Sequence, residues 1–274
     1  MLNLFQHLLM KYLDQLNREF QLNESPKRIV SLVPSQTELL VDLGLKNELV
    51  GITKFCVHPS SLRKNKTVVG GTKQVNVEKI KALQPDIILC NKEENTKEMI
   101  GQLEMIAPIH ISDINTIEDC FELIKMYGEI FDASNVASTL IESINTEREK
   151  FRSTLKSKGA KKVAYFIWKN PWMVAASDTF INEMIKEAGF INVFEEEQRY
   201  PEIQLDHSKL KEADLIFLSS EPFPFKEEHI LELKSLFPEK TIKIVNGEPF
   251  SWYGSRLKYS YDYFLCLLVC FKNK

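Results

Sequence analysis

Three short segments of this chain combine residue types that do chemistry with spacings a fold can use. Residues 31–40 (SLVPSQTELL) read as a strand end, a stop at Pro34, and a helix opened by the capping box Ser35-x-x-Glu38. Ser35 and Gln36 would then sit where free backbone amides face a ligand at a helix N-terminus. Simple capping, with no ligand, accounts for the same residues. Residues 166–176 (FIWKNPWMVAA) place Trp168 and Trp172 around an Asn-Pro turn, with Met173 alongside. Aromatics at a turn must cover something, either a ligand or an interface between lobes. Residues 246–257 (NGEPFSWYGSRL) follow a strand and set Phe250, Trp252 and Tyr253 beside Glu248, Ser251 and Arg256. Aromatics with a few polar anchors suit a large, flat or amphipathic small molecule. A packed helix-entry turn is the alternative.

Catalytic signatures are missing. The chain has no Gly-x-Gly-x-x-Gly after a strand, no Gly-x-x-x-x-Gly-Lys-Ser/Thr, no Gly-x-Ser-x-Gly and no His-Glu-x-x-His. No nucleophile–base pair is visible, so no catalytic residue is assigned and an enzyme is not expected. The five histidines, His7, His58, His110, His207 and His229, are far apart, and no metal ligand set is assigned. The five cysteines are scattered and odd in number, which favours reduced thiols. Cys266 and Cys270, four apart on one helix, read as small buried hydrophobes.

The elements that must position these segments follow from hydrophobic patterning. Apolar runs at 28–33, 49–53, 67–69, 86–90 and 109–111 read as buried parallel strands, and amphipathic segments alternate with them. From residue 116 to about 158 strand signals stop. One helix spans 116–131, a turn follows at 132–135, and a second helix runs from about 136 to 155. Strands resume at 162–168, 173–176, 214–219 and 241–245, with helices at 179–188, 208–211, 226–237 and 256–271. The fold class is therefore α/β: two Rossmann-like lobes with parallel sheets joined by one long backbone helix. The expected divisions are an amphipathic helical extension over 1–26, lobes over 27–131 and 161–274, and the inter-lobe helix over 132–160. The groove between two lobes is a standard place for a ligand.

Composition narrows the function classes. The 274 residues are 44% apolar and 27% charged, with 35 basic against 38 acidic and a net charge of −3. There is no electrostatic footprint for nucleic acid and no polybasic membrane patch. No apolar run is long enough to span a bilayer. The first ten residues (MLNLFQHLLM) lack a basic start and a cleavage site, Leu9, Leu13, Leu16 and Phe20 fall at helical spacing, and Met10 is an alternative start. The expectation is a cytoplasmic chain without signal peptide or lipoprotein cysteine.

Taken in order, these segments resemble the cobalamin and iron-siderophore binding proteins of ABC importers, a group with periplasmic-binding-protein-like architecture on a single long helix. The resemblance runs from about Lys27 to Leu268. It rests on residues 28–40 (RIVSLVPSQTELL), 50–53 (VGIT), 69–71 (VGG), 76–88 (NVEKIKALQPDII), Asn170-Pro171 and residues 214–216. The resemblance implies a monomeric substrate-binding component holding a corrinoid, a ferric siderophore or a haem-type complex between its lobes. It implies an ABC permease as partner, docked through one acid per lobe, here Glu78 and Asp206. It implies ligand contacts from Phe55, Thr72, Asn91, Trp172, Met173, Tyr200, Glu248 and Trp252, with Ser35 and Gln36 adding polar groups. Thr72 and Asn91 stand where the best-known cobalamin binders have tryptophan, and Trp252 stands where they have arginine. Because that family is exported, the lack of a leader suggests an alternative: a cytosolic relative acting as a metal-ion receptor, cofactor sensor or interaction module without a permease.

Overall fold

The computed structural model describes residues 9–155 and 159–272. The chain divides into two compact units, Met1–Asp113 with Glu118–Ser143, and Ile144–Lys274 with Ile114–Ile117.

The first unit opens with β1 (Met10–Leu13) and β2 (Glu19–Leu22). It continues through β3 (Ile29–Ser31), α1 (Pro34–Asp42), β4 (Leu49–Thr53), α2 (Leu62–Asn65), β5 (Thr67–Gly70), α3 (Val77–Ala82), β6 (Ile87–Asn91), α4 (Lys97–Leu103), β7 (Ile109–Ser112) and α5 (Ile117–Ile130). Its sheet has the order β5-β4-β3-β6-β7, and every pairing is parallel. All residues of β3, β6 and β7 are buried. That is why β3 and β6 read as mainly apolar runs rather than alternating ones, while β7 buries His110 and Ser112 along with its isoleucines. Gly51 in β4 sits in a tight place: a Cβ there would lie 2.8 Å from Leu83 Cδ1 and 3.0 Å from Val30 Cγ2, so neighbouring side chains would have to move.

From Met10 to Leu22 the chain is not the expected helix. β1 and β2 form an antiparallel hairpin, with Tyr12 stacked on Phe20 at 5.7 Å. Helical spacing fitted Leu9, Leu13, Leu16 and Phe20, but Leu9 and Leu13 are exposed while Phe20 and Leu22, two apart, are buried. The turn decides it. Asp14 Oδ1 accepts the Leu16 and Arg18 amides at 2.9 Å, and Asn17 takes the left-handed φ of 59°. The hairpin then serves the sheet. β7 is an edge strand, and its outward amides at Ile111 and Asp113 donate to Asp14 Oδ2 and Gln15 Oε1. An otherwise open sheet edge is thereby covered. Residues 1–8 lie outside the described residues.

α6 (Ser134–Thr154) passes from the first unit into the second at residues 143–144. Its 21 residues extend about 31 Å. Asp132, at φ 54°, makes the turn before it.

The second unit contains β8 (Lys162–Trp168), β9 (Met173–Val174), α7 (Phe180–Glu187), β10 (Ile191–Asn192), α8 (Ser208–Glu212), β11 (Leu215–Ser219), α9 (Glu227–Leu236), β12 (Thr241–Val245), α10 (Glu248–Ser251) and α11 (Leu257–Lys272). Strands β10-β8-β11-β12 pair in parallel, and the short β9 returns antiparallel to β8. Glu187 of α7 is buried and receives both Arg148 (2.7 Å) and Arg152 of α6. The C-terminal helix differs from expectation on one face. Phe264, Leu267 and Phe271 are buried, but Cys266 and Cys270 are exposed. An i,i+4 pair shares one stripe, and here that stripe is the outer one. Among the described residues, no helix is long and apolar enough to cross a membrane.

Candidate functional site

In a parallel sheet every strand ends at the same edge, so the loops after the strands share one rim. In the first unit this carboxyl edge gathers Ser35 and Gln36 (after β3), Phe55 (after β4), Thr72 (after β5) and Asn91 (the last residue of β6). The five are brought together, but in two layers.

The inner layer is structural. Gln36 is fully buried; its Nε2 donates to Ser112 Oγ (2.6 Å) and Cys90 O (3.2 Å), and its Oε1 accepts from Tyr127 Oη (2.7 Å). Asn91 donates to Ser112 Oγ at 2.9 Å and accepts the Glu93 and Glu94 amides. Both side chains are engaged in holding the rim. Ser35 is likewise buried. α1 starts two residues earlier than the capping box required, with Val33 as N-cap and Pro34 in the first turn, and no side chain caps it. Proline's fixed φ suits that first position. Buried hydroxyls complete the layer: Thr37 Oγ1 donates to Ser31 Oγ at 2.8 Å and lies 3.1 Å from Cys56 Sγ.

The outer layer is accessible. Phe55 is 48% exposed, with its ring over Gly71. Thr72 is half-buried, and Asn95 Nδ2 holds its carbonyl at 2.8 Å. Asn95 in turn accepts the Asn91 amide, so the loops after β5 and β6 are tied together. Glu78 stands exposed in the first turn of α3, whose N-cap Asn76 accepts the Lys79 amide.

The carboxyl edge of the second unit is formed by the ends of β8, β11 and β12. The expected aromatic wall after β12 mostly faces inward. Phe250 is fully buried against Tyr165 (5.0 Å) and Phe264 (4.9 Å), and Tyr253 packs on Phe180. Trp252 is 8% exposed; its Nε1 donates to Glu221 Oε1 at 2.8 Å and the Arg256 guanidinium lies 5.3 Å from its ring. Short chains after a strand bury large rings because the core lies directly beneath. Trp172 is half-buried, stacked on Phe225 and carrying Lys169 at 5.1 Å. The more exposed indole is Trp168 (39%), against Phe223 at 5.5 Å. Met173, in β9, and Tyr200 are half-buried, and Arg199 lies over the Tyr200 ring. Asp206 is exposed just ahead of α8.

A polar cluster at this edge contains a residue that sequence reasoning missed. Glu221 Oε1 accepts from both Ser251 Oγ (2.7 Å) and Trp252 Nε1. Glu248, part-buried, pairs with Arg256 at 3.1 Å. Burial pushes the Glu221 carboxyl above its usual range, and Glu248 adds to this; the two hydrogen bonds and Arg256 act the other way. The loops after β11 and β12 are clamped, since the Gly247 amide donates to Ser220 Oγ and a Cβ on Gly247 would fall 2.5 Å from Ser219 Oγ. The available signal was a glutamate before proline directly after the apolar run of β11. Among the described residues, no three His, Cys, Asp or Glu side chains gather as a metal site would require.

Residues 29–236 match the periplasmic binding protein family. The chain belongs to that family. An ABC transporter substrate-binding lipoprotein of Bacillus subtilis (strain 168), YvrC, is 32% identical over 181 residues, 63% of this chain and 57% of that one. The chain thus spans little more than half the length of this relative. The vitamin B12-binding protein of Vibrio vulnificus (strain YJ016) is 25% identical over 70% of this chain and 71% of its own. The periplasmic vitamin B12 binding protein BtuF of Vibrio cholerae has the same fold, with a TM-score of 0.77 at 19% identity, over 91% of this chain and 99% of that one. The periplasmic haem binding protein HutB of Vibrio cholerae also shares it, with a TM-score of 0.75 at 20% identity, covering 88% and 98%. The expectation of a cytoplasmic chain is corrected by these findings: members of the periplasmic binding protein family, a lipoprotein among them, work outside the cytoplasm. Scattered cysteines and an unremarkable N-terminal segment were weak grounds, because neither is tied to how the binding fold works.

Proposed function

We propose that this chain is the substrate-binding component of an ABC importer and that it carries a corrinoid or a related metal–organic complex, haem or a ferric siderophore. The observation that carries this reading is the build of the two carboxyl edges in a member of the periplasmic binding protein family. Each has a rigid, hydrogen-bonded base beneath accessible aromatic and polar groups. Phe55 and Thr72 in the first unit, and Trp168, Met173, Tyr200 and Glu248 in the second, keep exposed surface at these edges and are the groups proposed to meet a ligand. Affinity then comes from preformed loops rather than from ordering on binding. Glu78 and Asp206 are exposed acids, one per unit, suited to paired contacts with basic residues of a permease. No enzymatic step enters this reading.

The test is an absorbance titration of purified protein with cobalamin, cobinamide, haem and a ferric siderophore, followed by gel filtration. Co-elution of one ligand near 1:1, with protein at monomer size, is the expected result. Retention of none of the four would refute the ligand class. A bound ligand at 100 times its dissociation constant should also add about 2.7 kcal/mol of stability.

A further inference from the structure

We propose that Glu221 is the specificity-determining anchor of the second unit: an acceptor that selects a ligand presenting N–H donors and rejects one presenting carboxylates. The inference rests on the binding-protein reading above and assigns the ligand chemistry within it.

Among the described residues, the carboxylate is held through one oxygen. Oε1 takes both hydrogen bonds, from Ser251 and Trp252. Two donors on one oxygen fix the plane of the group and leave Oε2 as the oxygen that can receive a third donor. The mount is rigid. Ser251 also donates to the Gly247 carbonyl at 3.0 Å, Gly247 donates to Ser220, and Tyr165 Oη donates to Ser219 Oγ at 3.1 Å beneath them. A Cβ at Gly247 would meet Glu221 Cγ at 2.6 Å, so the loop after β12 closes directly on this side chain.

The charge balance is specific as well. Glu248 and Arg256 neutralise each other, which leaves the cluster of Glu221, Glu248 and Arg256 with one net negative charge. A carboxylate on the ligand would meet this charge in a partly desolvated place, where repulsion is strong. An amide rim would instead supply donors to a charged acceptor, the stronger kind of hydrogen bond. Trp168 and Phe223, two residues beyond Glu221, pack edge to face on the same rim and offer an apolar surface to a flat body. An acceptor beside an aromatic surface suits a large apolar ring with amide arms, the chemistry of a corrinoid, over a ring with propionates, the chemistry of haem.

The experiment compares cobinamide with haem on the full chain by absorbance titration, using wild type, Glu221→Gln and, as a second variant with the charge kept but the reach shortened, Glu221→Asp. Wild type should bind cobinamide at least ten-fold tighter than haem. Glu221→Gln should weaken cobinamide about ten-fold and strengthen haem, while Glu221→Asp should weaken cobinamide without favouring haem. Wild type that prefers haem, or a preference unchanged in both variants, would overturn this assignment and leave the binding-protein reading standing. Binding of neither ligand, nor of a ferric siderophore, would overturn the binding-protein reading and this assignment with it.

Discussion

His110 should make this protein lose stability in mild acid by a calculable amount. The side chain lies in β7, fully buried, edge-on to Phe20 of the hairpin (6.0 Å) and to Tyr127 (5.2 Å). Among the described residues, neither ring nitrogen has a hydrogen-bond partner. Burial therefore depresses the imidazole from 6.5 to about 3, with Arg18 acting in the same direction. The folded protein keeps the ring neutral while the unfolded chain takes up a proton below pH 6.5. Stability from this group is complete above 6.5, falls as pH drops through the window from 6.5 to about 3, and is constant below it. At pH 5 the loss amounts to about 2 kcal/mol, and at pH 4.5 to nearly ~3 kcal/mol. His110→Leu replaces the ring by an apolar group of similar size and removes the titration. Urea denaturation of both proteins at pH 7 and pH 5 isolates the effect, because every other titrating group cancels in the double difference. The variant should lose about 2 kcal/mol less than wild type between the two pH values. Equal losses would refute the claim that this ring is held neutral in the core.

Three further outcomes follow from named contacts. Arg148→Met should cost about 3 kcal/mol in chemical denaturation at pH 7, since it leaves the buried Glu187 with only the more exposed Arg152. Burial raises the Glu187 carboxyl but the two guanidiniums more than offset it and hold it below its ordinary range, so its contribution is present above that range and the gap between variant and wild type should narrow as pH falls through it. Gly247→Ala forces a Cβ to within 2.6 Å of Glu221 Cγ; a loss of about 1–3 kcal/mol in thermal denaturation and weaker ligand binding are expected, and unchanged values would count against the clamp. With a thiol reagent, Cys266 and Cys270 should label quickly in the native protein, while Cys56, Cys90 and Cys120 should react only on unfolding. Burial adds a chemical reason at Cys90, whose thiol is pushed up to about 12.

Placement of the central strands and the longer helices of both units was written into local sequence. β4, β8 and β12 fall where apolar runs placed them, and α6 begins at the Asp132 turn. Buried parallel strands need continuous apolar runs and helices need one apolar stripe, so both patterns survive without knowledge of partners. Topology then carried Ser35, Gln36, Phe55, Thr72 and Asn91 to one rim, because parallel strands end on the same side.

What tertiary structure alone decided was the direction and employment of each side chain. Leu9 to Phe20 satisfied a helical period, yet became a hairpin once Asp14 could accept the outward amide of Ile111 on an edge strand nearly a hundred residues away. That Gln36 and Asn91 both meet Ser112, and that Trp252 meets Glu221, could not be read from their spacing. Glu221 drew no attention beside Pro222 until the loops after β11 and β12 closed on it. Spacing in sequence reports which residues share a face of their own element. Which polar atoms find each other, and which are left facing solvent, depends on non-local contacts that only the folded chain creates.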